Sequence, residues 1–266
     1  MDTQTPIQPD QTRPQFPTEV IDLPSEGKYY NPEGPLASGR IELYYPSARS
    51  EDILTSKNLI TKGLAIDKFL ESLIVDPRIR MDEILMGDKN AMLVSARILA
   101  YGTEYMAEID CPKCQEHIKD YIINLAELGT RKVSLPEQNS YGSEFQLQLP
   151  KSKVMISFRL LTHADEKAME SELKALKKMT KNLDSEITTR IKYCITSVNG
   201  NTDRVTIKKF VDNMLASDSL ALRKELMKVT PDVDMKIEFI CPECNYEERM
   251  TLPMGISFLW PSGEAE

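Results

Sequence analysis

Two rhythms of apolar and polar residues run along this chain. Period-two alternation marks strands at Gly39–Tyr45, Tyr105–Asp110, Ile118–Ile123, Phe145–Leu149, Val154–Leu160, Met235–Ile240 and Glu248–Leu252. Pro150, Lys151 and Ser152 stand between two of these runs and predict a hairpin turn. Helical spacing fills the rest. Ser47 or Ser50 can cap a helix with Glu51 and Asp52 in its first turn. Leu64, Phe69, Leu70, Leu73 and Ile74 give an apolar face to residues 63–74, and 80–85 reads as a short helical turn. Asp88 opens a longer helix that stops near Gly102. Thr162 and Asp165 predict the start of another, which carries the pair Glu170–Lys174. Three more are expected at 185–198, stopped by Asn199-Gly200-Asn201, at 206–215, and at 217–228 before Pro231. Strands and helices in this order predict an α+β fold.

The two halves share an order of elements. With Cys111 placed on Cys241, Gly87-Asp88 falls on Ser217-Asp218 without a gap. Each half then reads strand, helices opened by acids, a helix with an Asp near its start, and an alternating strand leading into Cys-Pro-x-Cys. This pattern predicts a degenerate internal duplication. The expected organisation is an arm at 1–20, a first lobe at 21–130, a linker at 131–141 and a second lobe at 142–266. Each lobe combines helices with a hairpin and ends in one cysteine knuckle.

Composition narrows the class. The 266 residues are 41% apolar, enough for a core, and no run of about 18 uncharged apolar residues offers a membrane span. The polar start, Met1 to Asp10, lacks the apolar stretch of a signal peptide, so a cytosolic protein is expected. A formal charge of −8 argues against a broad nucleic-acid surface. Residues 1–20 have little to bury and read as a flexible or extended arm. Residues 21–35 carry turn chemistry around Pro24, Gly27 and Pro32. Within them, Tyr29 and Tyr30 are expected either to anchor the loop to the core or to face a partner.

Candidate chemistry centres on cysteine. Four of the five form the pairs Cys111-Pro-Lys-Cys114 and Cys241-Pro-Glu-Cys244, each at the tip of a predicted hairpin. Two residues between cysteines let both thiolates face one side of a tight turn. Two knuckles supply four sulfurs, a closed tetrahedral set for structural Zn²⁺ with no open position for a catalytic water. A redox Cys-x-x-Cys sits between a strand and a helix start, whereas these lie between strands. Residues 115–240 separate the knuckles. Closing that loop costs about 4 kcal/mol, against about 10–16 kcal/mol from structural zinc. One shared site, a split four-cysteine zinc ribbon, is therefore expected, although each knuckle could instead meet one from another chain. His117 follows the first pair and is read as a strand-surface histidine rather than a ligand. Cys194 is read as a buried apolar residue. With only two histidines, no Gly-rich phosphate loop and no paired catalytic carboxylates, no catalytic machinery stands out.

Several stretches together resemble baseplate proteins of T-even-like contractile-tailed bacteriophages. These are Leu23-Pro-Ser-Glu-Gly-Lys-Tyr-Tyr, the run from Ala48 to Ile60, the run from Met86 to Gly102, and Glu108-Ile-Asp-Cys-Pro-Lys-Cys. The resemblance is close over about residues 20–128. In the second half Cys241-Pro-Glu-Cys244 and its strand carry it. It implies a non-enzymatic subunit or assembly protein of the baseplate hub, with other hub or assembly proteins as partners. The implied location is the host cytoplasm during tail assembly or the virion baseplate. The alternative is a zinc-ribbon nucleic-acid-binding module. Glu238, Glu243, Glu247 and Glu248 on the second hairpin disfavour phosphate contact.

Overall fold

The computed structural model describes residues 16–131, 133, 144–179, 185–254 and 256–259. The fold is α+β: helices combined with small antiparallel sheets. In the first half, β1 (Thr18–Asp22) pairs antiparallel with β2 (Arg40–Tyr44), with Ile21 opposite Ile41. Then come α1 (Ala48–Thr55), α2 (Lys57–Thr61), α3 (Ala65–Leu73) and α4 (Met86–Tyr101). Ser47 is the N-cap of α1, and its N–H donates to Ser50 Oγ at 3.3 Å. A 3₁₀ turn at Met81–Glu83 leads into α4. Gly102 ends that helix at φ +85°, a conformation that favours glycine. The first ribbon is β3 (Glu104–Asp110) with β4 (His117–Asn124). The short β5 (Thr130–Arg131) follows.

The second half opens with the hairpin β6 (Phe145–Gln148) and β7 (Met155–Phe158). It continues through α5 (His163–Met179), α6 (Glu186–Cys194), β8 (Ile195–Val198), α7 (Arg204–Asp212) and α8 (Ala216–Val229). The short β9 (Asp232–Val233) pairs with β5. The second ribbon is β10 (Lys236–Ile240) with β11 (Glu247–Thr251), and α9 (Ile256–Leu259) follows. No helix among the described residues is long and apolar enough to cross a membrane.

Two expectations are corrected. The helix expected over 185–198 ends at Cys194, and Ile195–Val198 is a strand of the β6–β7–β8 sheet. Pairing with β7, where Phe158 stands opposite Ile195, overrides helical continuation for these mostly β-branched residues. The expected arm is shortened, because Thr18, Glu19 and Val20 belong to β1. Residues 1–15 lie outside the described residues. Of the expected linker, Arg131 closes β5 and only Val133 is otherwise described.

Corresponding positions in the two halves make corresponding contacts. Leu43 of β2 bridges Ile74 just after α3, as Phe158 of β7 pairs with Ile195 just after α6. Asp88, 0% exposed near the start of α4, accepts Ser25 N–H from the β1–β2 loop at 2.9 Å. Asp218, 1% exposed near the start of α8, accepts the N–H groups of Lys151 and Ser152 from the β6–β7 turn at 2.8 and 3.0 Å. Both loops begin Leu-Pro, and both leucines, Leu23 and Leu149, are buried.

The larger core joins Leu23, Ile41, Leu43, Phe69, Leu70 and Met92 to the inward faces of both ribbons, including Ile109, Ile237 and Phe239. A second core lies around Phe145, Ile156, Phe158, Ile195 and Leu222. Tyr29 and Tyr30 serve the fold. Tyr29 Oη donates to Val229 O at 2.8 Å, and Tyr30 Oη donates to Asp88 Oδ2 at 2.5 Å.

Candidate metal centre

Each ribbon presents its cysteines through the same turn. In the first, Cys111 N–H donates to Glu116 O and Gln115 N–H to Cys111 O, both at 2.9 Å. In the second, Cys241 N–H donates to Tyr246 O at 2.9 Å and Asn245 N–H to Cys241 O at 3.0 Å. Gln115 and Asn245 occupy the same left-handed position, at φ +60° and +52°. That conformation costs a side-chain-bearing residue energy, least for asparagine. Strand alternation then buries Tyr105, Ala107 and Ile109 of β3 and Ile237 and Phe239 of β10, so both tips approach each other over one apolar floor. Tyr121 of β4 ties the ribbons together. Its ring lies 5.1 Å from that of Phe239, and its hydroxyl accepts Ile240 N–H at 3.1 Å.

All four knuckle cysteines converge. Cys111 Sγ lies 3.7 Å from Cys244 Sγ, and Cys114 Sγ lies 3.7 Å from Cys241 Sγ. The four sulfurs all fall within 4.8 Å of one another, a group able to hold a metal ion. The electrostatics of the thiols suit a cation. Burial opposes a charge on Cys111, but the backbone N–H groups of Cys114 and Lys113 together with the thiols of Cys114 and Cys241 outweigh it and lower this thiol to about 7. At Cys114 the Glu116 backbone N–H favours the thiolate. Burial and the sulfurs of Cys111, Cys244 and Cys241 prevail and push it up to about 12. The Cys111 thiolate forms readily while Cys114 and Cys244 resist a further charge, and a bound cation would remove that resistance.

The other sequence candidates stand apart. His117 lies on the ribbon surface with Nδ1 2.7 Å from Asp110 Oδ1, outside the four-sulfur group. Cys194 is buried at the end of α6, where burial pushes its thiol up to about 11.

A cluster that the sequence reading missed joins the halves. Buried His163 opens α5 with its Nε2 3.0 Å from Asp67 Oδ2 of α3 and its Nδ1 3.1 Å from Lys89 Nζ of α4. The approach to Asp67 falls outside hydrogen-bond geometry, since Nε2 has no hydrogen-bond partner, and it becomes an ion pair when the imidazole is protonated. Lys89 also lies 3.0 Å from Asp67, and Glu166 lies 3.7 Å from Lys89. The only sequence signal was a histidine beside the Thr162 cap. Its partners are distant in the chain.

Fold and site thus define an α+β protein with a four-cysteine cluster at the meeting of two ribbons. A family model described as T4 bacteriophage base plate protein matches residues 28–260, and the chain belongs to that family. Membership implies a structural role in the virion tail baseplate and contacts with other phage proteins. No curated protein and no solved structure matches.

Proposed function

We propose that this chain is a structural or assembly protein of the baseplate hub, with no enzymatic activity, and that it works by protein–protein contact. In this reading one structural Zn²⁺ is held by Cys111, Cys114, Cys241 and Cys244. The convergence of four sulfurs from two ribbons carries the proposal. A tetrahedral shell with metal–sulfur distances of about 2.3 Å has edges of about 3.8 Å, and the two shortest sulfur separations are 3.7 Å. Four protein thiolates fill such a shell. The ion would then lock the ribbons together rather than activate a substrate.

The reading extends to the whole chain. Two related lobes, 21–130 and 142–266, would be joined through 131–141 and by the shared zinc ribbon. The matching contacts of Asp88 and Asp218 support their common origin. The place of action would be the host cytoplasm during tail assembly, and then the baseplate. The test is affinity purification of the tagged chain from cells producing tail components, with zinc measured in the eluate. The expected result is co-purification of hub proteins with one zinc per chain. Recovery of the folded chain without hub proteins would overturn the hub assignment, and recovery without metal the zinc assignment.

A further inference from the structure

Helices α4 and α8 hold corresponding places, yet only one is covered. No residue of α4 is exposed. The segment after α8 lies across it, and a Cβ added at Gly87 would meet Pro231 O at 1.9 Å. Asn90 Nδ2 of α4 also donates to Asp232 at 2.9 Å. On α8 the residue corresponding to Gly87 is Ser217, which is exposed. Ala216, Leu220, Arg223 and Met227 follow one another at steps of four, three and four, so they form one stripe along the helix. The buried side chains of α8, Asp218, Leu222 and Val229, lie about half a turn away. Leu220 is 44% and Met227 63% exposed, with Arg223 and Lys224 exposed beside them.

A second open patch sits on the outer face of the first ribbon. Met106 stands directly opposite Ile122, and they are 64% and 62% exposed. Met106, Met227 and Ile122 are the three most exposed large apolar side chains among the described residues. Glu104 and Glu108 flank Met106 on the outward face of β3, both exposed. The patches are complements: an apolar pair beside carboxylates, and an apolar pair beside cations.

We propose that the α8 stripe of one copy docks on the Met106–Ile122 face of a second copy, giving head-to-tail self-association. Charge complementarity selects this occupant. A single chain carries both sides of the contact, and a contact between two different patches propagates into a ring or an open array. Exposed charge pairs are screened by salt, so association is stronger at low ionic strength.

The test is sedimentation equilibrium of the full chain from low to high salt, with circular dichroism and metal content confirming the fold of every variant. The wild-type chain should form concentration-dependent oligomers at low salt. Leu220→Glu with Met227→Glu, on the side of α8 away from the core, should weaken association at least about tenfold. Two charge-reversed chains give the decisive arm. One carries Glu104→Lys with Glu108→Lys, and the other Arg223→Glu with Lys224→Glu. Each alone should remain monomeric, because like charges then face each other. Their mixture should associate. A monomeric wild-type chain at all concentrations, or variants that associate as the wild type does, would overturn the proposal. So would a mixture that stays monomeric.

Discussion

Tyr30 Oη donates to Asp88 Oδ2 at 2.5 Å and accepts Leu85 N–H at 3.0 Å, so one phenol completes both the buried carboxylate and the entry to α4. Burial first, and then the Asp88 charge, raise the Tyr30 pKa, so the hydroxyl stays protonated as a donor. Tyr30→Phe should leave a carboxylate oxygen and a backbone N–H without this partner, at a cost of about 2–3 kcal/mol. Tyr29→Phe removes one bond to a carbonyl and should cost about 1 kcal/mol. Urea unfolding of both variants checks the order; equal losses would refute the two-bond role of Tyr30.

Gly87 is required by proximity rather than by its own dihedral angles. An added Cβ would lie 1.9 Å from Pro231 O and 2.9 Å from Asp232 Cα, and backbone atoms cannot swing aside as a flexible side chain can. Gly87→Ala should destabilise by about 3 kcal/mol. Gly200→Ala is the comparison. There φ is +78° with open space around the site, and the cost should be about 1 kcal/mol, from the dihedral alone. Thermal unfolding separates the two, and a Gly87→Ala chain as stable as wild type would show that the segment after α8 is free to move.

The four knuckle cysteines should act as one unit. Cys111→Ser or Cys244→Ser should abolish stoichiometric metal binding and lower the melting temperature by about 10 °C, the shift that about 3–4 kcal/mol produces in a chain of this size. A strong chelator should reproduce the shift in the wild-type chain and have little further effect on either variant. Cys194→Ser should leave metal content unchanged, because that thiol is buried at the end of α6. Elemental analysis of the three variants decides the matter.

His163 should make stability depend on pH. Asp67 first, and then Glu166, raise its imidazole pKa against burial and the Lys89 charge. A folded-state pKa above the unfolded value of about 6.5 means that folding takes up a proton in between. The stabilisation is fully present below about pH 6.5 and is lost as pH rises through the folded-state value. The wild-type advantage over His163→Gln should therefore be larger at pH 6 than at pH 9. Denaturant midpoints measured across that range check the sign, and an advantage that grows with pH would refute it.

Local chemistry let the sequence determine much of this protein. Cys-Pro-x-Cys between two alternating strands specifies a knuckle at the tip of a hairpin, because two intervening residues and period-two strands leave few other conformations. The Ser47 and Thr162 helix starts and the Gly102 stop were legible for the same reason: caps and left-handed stops depend on neighbouring residues. Pairing with distant strands was not. Thr18–Val20 and Ile195–Val198 are strands only because β2 and β7 lie beside them. Their β-branched residues were the available signal, but it was weaker than the polar composition before the one and the helical run before the other. The meeting of the two knuckles was legible from their matched spacing, whereas tertiary structure alone decided that Asp67 and Lys89 enclose His163 and that α4 is covered while α8 stands open. Each of these joins residues far apart in the chain. Spacing along a sequence fixes which way a side chain faces within its own element, whereas what it meets there depends on how the elements pack.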